Sequence, residues 1–503
     1  MILLGILYTF IAIFLSLYGA HALLLVLLHW RGRRPTRPQA SEVPLPATWP
    51  RVTVQLPVYN ERYVVARLID AVAQLDYPLD RLEIQVLDDS TDVTTAIAAK
   101  RVAFWQRRGV NIKLVHRANR TGYKAGALQH GLKQATGEFI AIFDADFVPP
   151  RDWLRRTVPA LLRDERVGVV QTRWEHLNPA SSLLTRAQAL ALDGHFGVEQ
   201  PARARNGLLL NFNGSAGLWR RACIEDAGGW RGDTLSEDLD LSYRAQLRGW
   251  RVVYLPDVVA PAEIPLQMSA FKRQQFRWAK GSAQCVRLLA GQVVRSSLPA
   301  WTRVMALFHL TGYFIHVGMM VLLLLTLPLL LWQWPVPAGL PPAWLGLFGM
   351  GAPVLYVAAQ QALRRDWKRG VCWLPALMVL GVGVACNNAR AVLEGLMSTG
   401  GEFARTPKLG VRQARGARRV TAYRLPAGGT TWAELVMGGY ALVSALVAAT
   451  QHRWLAVIFL VLYALGFWWV GGMTLWETLW PSRTLRRLRV LRGRHFARHR
   501  PAA

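Results

Sequence analysis

Long apolar stretches alternate with polar and basic stretches along this chain, and this pattern predicts a membrane protein with a large soluble part. A helix that crosses a bilayer needs about 20 apolar residues, and the segment from Met1 to about Trp30 exceeds that length. No basic region precedes it and arginines follow it, which is unlike a cleaved signal peptide. We therefore expect a retained transmembrane helix over residues 1–30, with its N-terminus outside. Further apolar segments lie at Met305–Trp332, Ala343–Gln361, Val371–Cys386, Leu435–Thr450 and Trp454–Met473.

The charge distribution predicts how these segments cross the membrane. The chain carries 60 Lys and Arg against 31 Asp and Glu, and its formal net charge is +29. The basic clusters flank the apolar segments, which favours cytoplasmic loops at an anionic membrane surface and excludes nucleic acid as the expected partner. If every apolar segment crossed, the cluster at 405–424 would lie outside, against the positive-inside rule. We therefore predict five spans and an interfacial or re-entrant segment over 371–396, because polar Asn387 and Asn388 interrupt it; six spans are the alternative.

Residues 50–260 show a different pattern, in which short apolar runs alternate with helical periodicity. Such alternation predicts an α/β domain around a mixed, mostly parallel sheet. In such sheets, functional groups lie at the carboxyl ends of the strands. Strands are expected from Val52 and over Leu82–Leu87, Asn111–Val115 and Glu138–Phe143, and helices over Tyr63–Leu75 and after Gly122.

Two pairs of aspartates follow these strands, so both are expected at one edge of the sheet. Residues two apart in an extended chain point the same way, so Asp144 and Asp146 can bind one divalent cation, Mg²⁺ or Mn²⁺, together with phosphate oxygens. Asp88 and Asp89 end an earlier strand, where their carboxylates can accept hydrogen bonds from a nucleotide. Lys124 can add a cation near the phosphates, although a solvated helix lysine is an equal interpretation.

Ser236 to Asp240 form an acidic segment at the start of an expected helix. Ser236 suits the N-cap, and acidic residues in the first turn favour the helix dipole. Capping is therefore one interpretation. Glu237, Asp238 and Asp240 together carry more charge than a cap requires, so the other interpretation is a general base for an acceptor hydroxyl.

Gln274, Arg277 and Trp278 share one face of an expected helix, because they are spaced i, i+3 and i+4. The guanidinium fork of arginine suits pyrophosphate oxygens, and an amide and an indole can hold a sugar. The helix belongs to a segment, residues 261–300, that we predict to lie at the membrane interface. Arg277 and Trp278 as interfacial anchors are therefore the alternative interpretation.

In this order, the motifs resemble those of the family 2 glycosyltransferases with a GT-A fold, and in particular the membrane-embedded cellulose synthase-like enzymes. The flanking segments Phe212–Gly217 and Pro261–Pro265 look closest to the mannan and glucomannan synthases. The resemblance implies a GT-A-like α/β cytosolic domain plus an α-helical transmembrane region. The matching residues are Asp88-Asp89, Asp144-Ala-Asp146, Ser236-Glu-Asp238 and Gln274-Gln-Phe-Arg-Trp278.

The resemblance implies roles on the donor side of the site. Asp88 and Asp89 would contact the nucleoside, and Lys124 and Asp144 would bind the nucleotide-sugar. Asp144 and Asp146 would hold the divalent cation, Mg²⁺ or Mn²⁺, and the diphosphate.

It also implies roles on the acceptor side. Asp238 would deprotonate the acceptor hydroxyl in a single displacement that inverts the anomeric carbon, and serine in place of the familiar threonine at 236 leaves this base intact. Arg277 would stabilise the departing nucleoside diphosphate. Gln274 and Trp278 would hold the acceptor.

A further match lies downstream, in residues 397–430. Phe403, Thr406 and Lys408 fit the F-x-x-T-x-K pattern of the cellulose synthase gating loop, which is expected to close over the nucleotide and is therefore cytosolic. Arg405 stands where cellulose synthase has valine, which puts the family's mode of closure in doubt. Without the other motifs, a solvated basic loop would be the preferred interpretation.

The favoured hypothesis is processive synthesis of a β-linked polysaccharide, with translocation through the chain's own helices. A non-processive glycolipid synthase resembling ceramide glucosyltransferase is the alternative, and a non-enzymatic membrane scaffold is the third hypothesis. The donor, UDP-glucose or GDP-mannose, and the acceptor, polysaccharide or lipid, stay open, and membrane lipids are expected partners. We expect a bacterial inner membrane protein with its catalytic domain in the cytoplasm, paired spans over 305–361 and 433–473, and a basic cytosolic tail over 482–503.

Overall fold

The computed structural model describes residues 2–31, 46, 48–333, 349–403, 405–410 and 427–479. The soluble part is built on one sheet, and its strands within these residues are β1 Val52–Val58, β2 Leu82–Asp88, β3 Ile112–His116, β4 Phe139–Ile142, β5 Val167–His176, β6 Gly217–Arg220 and β7 Arg251–Ala262. All the strands predicted from the sequence are present, with ends that differ by a few residues.

The sheet has the order β3-β2-β1-β4-β6-β5-β7. Strand β1 pairs in parallel with β2 and β4, and β2 pairs in parallel with β3. Strand β6 runs antiparallel to both neighbours, and β5 and β7 are again parallel. This mixed and mostly parallel sheet confirms the predicted GT-A-like α/β fold.

Helices cover both faces of the sheet. Successive residues of β4 point to opposite faces, as the period of a strand requires: Phe139 packs in one apolar cluster with Val158, and Ile140 packs in the other with Leu128. Burial on both faces explains why the strands are continuous apolar runs. The helices of this domain are α2 Val65–Ala73, α3 Thr94–Gln106, α4 Tyr123–Gln134, α5 Trp153–Leu162, α6 Leu183–Gly194, α7 Gln200–Arg205, α8 Arg221–Asp226 and α9 Glu237–Leu247, and α1 Ile2–Arg31 precedes them.

The remaining helices form the membrane side. Among the described residues, four segments are long and apolar enough to cross a membrane, namely Ile2–Arg31, Gly312–Leu331, Gly429–Thr450 and Trp454–Leu479. The helices that follow the sheet are α10 Met268–Arg295, α11 Ala300–Leu310, α12 Ile315–Leu331, α13 Gly351–Leu363, α14 Trp367–Val371, α15 Leu374–Gly383, α16 Ala385–Met397, α17 Gly429–Thr450 and α18 Trp454–Leu479.

Some boundaries differ from those predicted. A span is expected from Met305, but the apolar helical segment begins at Gly312. Helix α11 ends at Leu310, and Thr311 separates it from that segment. Residues 343–348 of another expected span lie outside the described residues, as do the tail at 482–503 and most of the basic cluster at 405–424.

Asn387 and Asn388, which end the apolar run of their segment, do not end its helix. Both lie inside α16, where the Asn387 amide donates to the Lys272 carbonyl at 3.1 Å and the Asn388 amide lies 3.1 Å from Nε2 of His316. These partners satisfy the polar groups within the bundle, so the helix continues. The helices on either side of residue 384 bend by 44°, and the interfacial or re-entrant role of this segment stays a prediction.

Helix α10 connects the two parts of the molecule. Its first turn, with Met268 and Phe271, packs against Leu377 and Val470 of the membrane helices. Its middle approaches the start of α9 so closely that a Cβ on Gly281 would lie 2.2 Å from Oγ of Ser236. The helix that carries the Gln-x-x-Arg-Trp motif is therefore fixed between the catalytic sheet and the membrane bundle.

Candidate active site

Asp144 lies where β4 ends, at the carboxyl edge of the sheet. The segment that follows is a turn, closed by the Phe147 amide donating to the Asp144 carbonyl at 3.1 Å. The argument from an extended chain is therefore wrong in detail. The pKa of Asp144 is raised, chiefly by burial, while Lys124 lowers it and the Asp146 charge raises it further.

Lys124, at the start of α4, lies in the middle of the site. Its Nζ is 2.7 Å from the Asp144 carboxylate and 3.5 Å from Glu237, and it donates to the Gly214 carbonyl at 2.8 Å. Only 13% of its side chain is exposed, which excludes the solvated-lysine interpretation. Burial alone would lower the pKa of Lys124, but the Asp144 and Glu237 carboxylates raise it above its ordinary value, which favours the charged ammonium.

Asp238 lies in the first turn of α9 and faces Gly214, where a Cβ would come within 2.8 Å of its Oδ2. Burial first, and then the neighbouring Glu237 carboxylate, raises the pKa of Asp238 to about 7. Ser236 does occupy the N-cap position, but its side chain makes no capping hydrogen bond. Asp240 is committed to an ion pair with Arg244 at 2.7 Å. Asp238 is therefore the carboxylate of this turn that is suited to act as a base.

Arg277 projects from α10 toward these carboxylates. Burial lowers the pKa of Arg277, and the charges of Glu237, Asp144, Asp238 and Asp146, in that order, act to raise it. These carboxylate charges favour a role for Arg277 at the sheet edge over the interfacial anchor, and that role stays a prediction. Gln274 and Trp278 are half-buried on the same helix, and their contact with an acceptor stays a prediction.

Phe403 stacks against the arginine of this motif. The Arg277 guanidinium carbon lies 4.1 Å from the centre of the Phe403 ring, and that ring lies 6.4 Å from the ring of Tyr123 in a stacked arrangement. A cation over an aromatic face is attracted by the ring's quadrupole. Phe403 thus links the predicted gating loop to both sides of the site.

The described part of that loop, residues 405–410, lies on the sheet edge. Lys408 Nζ is 2.6 Å from Oδ2 of Asp146 and also donates to the Glu263 carbonyl. The next amide, of Leu409, donates to the Glu263 carboxylate at 2.8 Å. The Thr406 hydroxyl is buried without a hydrogen-bond partner among the described residues. The solvated-loop interpretation is therefore excluded for these residues.

Arg405 makes a contact that the sequence did not predict. Its Nε and Nη2 lie 3.0 and 3.1 Å from the two carboxylate oxygens of Glu61, which follows β1. Burial raises the pKa of Glu61 to about 7, although Arg405 acts to lower it. The residue that departs from the gating-loop pattern of cellulose synthase thus has a defined, bidentate partner on the catalytic domain.

Asp88 and Asp89 are engaged within the protein. Asp88 accepts from the Ser90 amide at 3.1 Å and the Thr95 hydroxyl at 2.7 Å, and its carboxylate lies 3.0 Å from Nδ1 of His116.

Asp89 is the acceptor for the guanidinium fork of Arg117, with distances of 2.7 and 2.5 Å. These bonds order the end of β2 beside the site. Contact of either aspartate with a nucleoside stays a prediction.

Asp144 and Asp146 suit a divalent cation that is also bound by the phosphates of a ligand. Among the described residues, no group of three or more His, Cys, Asp or Glu side chains is arranged to hold a metal ion. Asp144 and Asp146 nevertheless each attract a lysine ammonium, Lys124 and Lys408 respectively. Mg²⁺ characteristically binds through one or two carboxylates plus substrate phosphates, so this pair fits a divalent ion that arrives with a diphosphate.

Several residues of the site were missed although their segments were singled out. Ser215 Oγ accepts from the Asp144 amide at 3.0 Å, and Gly214 accepts from Lys124. Glu263 contacts both the loop and Arg67. Gly214, Ser215 and Glu263 lie in the flanking segments Phe212–Gly217 and Pro261–Pro265. The family resemblance therefore singled out these segments, but it assigned no role to the three residues.

Part of the chain matches a known protein family in sequence. Residues 50–281 match the model of the family described as "Glycosyltransferase like family 2". This segment therefore belongs to that family, as the motifs predicted. The chain is also similar to glucomannan mannosyltransferases, in agreement with the resemblance to the mannan and glucomannan synthases.

Two curated relatives are "Probable glucomannan 4-beta-mannosyltransferase 11" of Oryza sativa subsp. japonica and "Glucomannan 4-beta-mannosyltransferase 2" of Arabidopsis thaliana. The first is 43% identical over 307 residues, 60% of this chain and 53% of the relative. The second is 43% identical over 267 residues, 52% of this chain and 50% of the relative. The chain thus spans about half the length of these relatives. Both are plant proteins and give no support to the predicted bacterial inner membrane.

Among solved structures, the chain is similar to "Mannosyltransferase PcManGT from Pyrobaculum calidifontis in complex with GDP-Man and Mn2+". The sequence identity is 24% and the TM-score is 0.48, with 78% of this chain and 99% of that chain covered.

Proposed function

We propose that this chain is an inverting glycosyltransferase that transfers a hexose from a nucleotide-sugar to a growing β-linked polysaccharide. The observation that carries the proposal is the convergence of Asp238, Arg277 and the Lys124–Asp144 pair at the carboxyl edge of a family 2 sheet. The relatives are named as glucomannan mannosyltransferases. Of the two predicted donors, GDP-mannose is therefore favoured over UDP-glucose.

The chemistry is a single displacement at the anomeric carbon. The acceptor hydroxyl oxygen attacks C1 while its proton passes to the Asp238 carboxylate. The bond from C1 to the diphosphate oxygen breaks on the opposite side, so an α-linked donor gives a β-linked product. A base with a pKa of about 7 matches the task, because general bases work best when their pKa lies near the operating pH.

Charge develops on the diphosphate as it leaves. Lys124 and Arg277 are fixed cations on two different elements, α4 and α10, so both can be oriented before the reaction begins. Asp144 and Asp146 would hold Mg²⁺ or Mn²⁺, which when bound neutralises phosphate charge. A divalent ion that bound through Oδ2 of Asp146 would have to displace the Lys408 ammonium.

The loop supports a polymer synthase over the glycolipid alternative. Phe403, Thr406 and Lys408 lie against the site as a gating loop requires, and a glycolipid synthase needs no such loop. The buried Thr406 hydroxyl is suited to a ligand oxygen, since buried polar groups are nearly always hydrogen-bonded. Processivity and translocation through the membrane helices are part of this proposal.

The test uses the purified chain in nanodiscs, given labelled GDP-mannose or UDP-glucose with Mg²⁺ or Mn²⁺. We expect an insoluble product made from GDP-mannose that a mannanase digests. A product that a cellulase digests would reassign the donor to UDP-glucose. A product wholly extracted into organic solvent would contradict the polymer and favour a glycolipid. If neither donor gave sugar transfer, the proposed enzymatic function would be contradicted and the non-enzymatic membrane scaffold would be favoured.

A further inference from the structure

The first turn of α10, the helix that carries the Gln-x-x-Arg-Trp motif, is hydrogen-bonded to a carboxylate of the last described helix, α18. Glu477 lies near the end of α18, 209 residues from Met268 along the chain. Its Oε1 accepts from the Met268 amide at 2.7 Å. Its Oε2 accepts from the Ser269 amide at 3.0 Å and from the Ser269 hydroxyl at 2.8 Å. One side chain therefore bonds three donors in the first turn of α10.

These donors need a partner from outside the helix. The first four amides of an α-helix have no acceptor within it, and a residue at the N-cap usually supplies one. Here the N-cap residue is Gln267, whose side chain makes no capping hydrogen bond. A negative charge at this end also favours the helix dipole. Glu477 thus supplies from a distance what the local sequence does not.

We propose that Glu477 is a positioning residue for sugar transfer, which sets the start and orientation of α10 and hence the placement of Gln274, Arg277 and Trp278. The inference rests on the proposed function for its kinetic part only. Gln274 lies less than two helical turns beyond Met268, so a shift of the first turn moves the motif with it. Glu477 does not touch the site itself.

A second contact, an ion pair, also joins α10 to the membrane helices. Lys272 Nζ lies 2.7 Å from the Glu434 carboxylate of α17, and both side chains are buried. This ion pair holds the side of the helix, whereas Glu477 holds its end. Only the latter function can be replaced by a local cap.

The experiment transfers the cap from Glu477 to the helix itself. Gln267 has an extended backbone (φ −102°, ψ 139°), which suits an N-cap aspartate. The variants in nanodiscs are Glu477→Ala, Glu477→Gln, Gln267→Asp and the double variant Glu477→Ala/Gln267→Asp. Amide hydrogen exchange over residues 268–271, the turnover number and the Kd for nucleotide are measured for each.

We expect Glu477→Ala to accelerate exchange of the first turn about five- to thirtyfold. Turnover should fall roughly tenfold or more because the catalytic groups are misplaced, while nucleotide affinity should fall by less, because Lys124 and Asp144 do not lie on α10. Glu477→Gln keeps one acceptor oxygen and should be intermediate. Gln267→Asp alone should resemble the wild type, and the double variant should recover both exchange and turnover.

Two results would overturn the proposal. One is unchanged exchange of the first turn in Glu477→Ala, and the other is a double variant that regains exchange protection but not turnover. If Glu477→Ala fails to fold, Glu477→Gln with and without Gln267→Asp gives the same comparison. A wild-type protein that transfers no sugar would contradict the proposed function alone, since the exchange data test the cap independently.

Discussion

Lys408 Nζ lies 2.6 Å from the carboxylate of Asp146, so a lysine from the predicted gating loop occupies the position next to one of the two candidate metal ligands. The contact joins residues 262 positions apart. Because like charges compete for one carboxylate, this ammonium and a divalent cation cannot both hold Asp146 in the same way. The loop and the metal are therefore expected to be coupled.

Replacing Lys408 with methionine should reveal this competition. Removal of one positive charge beside Asp146 should tighten Mn²⁺ binding in the absence of nucleotide by about three- to tenfold, which corresponds to about 1 kcal/mol. Mn²⁺ binding is measured by electron paramagnetic resonance, and Lys408→Arg, which keeps the charge, is the matched control. Weaker or unchanged binding in Lys408→Met would refute the coupling.

Arg405 should determine how firmly the loop is held. Its fork binds both carboxylate oxygens of Glu61, and substitution by valine leaves that carboxylate buried without this cation. We expect Arg405→Val to accelerate amide exchange over residues 405–410 by about tenfold or more, because bidentate pairs are among the stronger hydrogen bonds. Arg405→Lys keeps the charge without the fork and should fall between. Equal exchange in all three proteins would show that the pair does not hold the loop.

Gly281 should be intolerant of a methyl group. A Cβ there would lie 2.2 Å from Oγ and 2.7 Å from the amide nitrogen of Ser236, so Gly281→Ala must push α10 away from α9. We expect destabilisation of about 1–3 kcal/mol and a large loss of transfer, seen in thermal unfolding and in the transfer assay.

Gly291 is the matched control on the same helix. A Cβ there would meet only the Arg295 guanidinium, at 3.6 Å, so Gly291→Ala should be neutral or stabilise the helix by up to about 1 kcal/mol. If both variants behaved alike, close packing of Gly281 on Ser236 would not be what positions the helix.

The sequence predicts those parts of the site that depend on local pattern. Asp144 and Asp88 follow strands whose apolar runs are easily recognised, and Gln274, Arg277 and Trp278 follow from helical spacing. The contacts Lys408–Asp146 and Glu477–Met268 join residues more than 200 positions apart, and nothing local marks such partners. The turn after β4 also escaped prediction, because it depends on one backbone hydrogen bond at Asp144.

The pH dependence of transfer should report Asp238. A base must be deprotonated to accept the acceptor's proton, and burial with the Glu237 charge raises the pKa of Asp238 to about 7. The active fraction therefore rises with pH. At pH 6, kcat/KM should be roughly a tenth of its plateau value, since pH 6 lies one unit below that pKa. A profile that is flat between pH 6 and 8 would assign the base elsewhere.

The most direct test of the account is transfer by Asp238→Asn. The amide preserves the shape of the side chain but cannot take the proton, so transfer from the preferred nucleotide-sugar should fall by about 10²–10⁴-fold. Nucleotide should still bind, because Lys124 and Arg277 remain. Asp226→Asn is the control, because Asp226 pairs with Arg248 at the protein surface.

The measurement is the initial rate of labelled sugar incorporation, together with the nucleotide Kd, for wild type and both variants. The account predicts abolished incorporation, an unchanged Kd for Asp238→Asn, and wild-type values for Asp226→Asn. Incorporation by Asp238→Asn within tenfold of the wild-type rate would contradict the central claim that this carboxylate is the base.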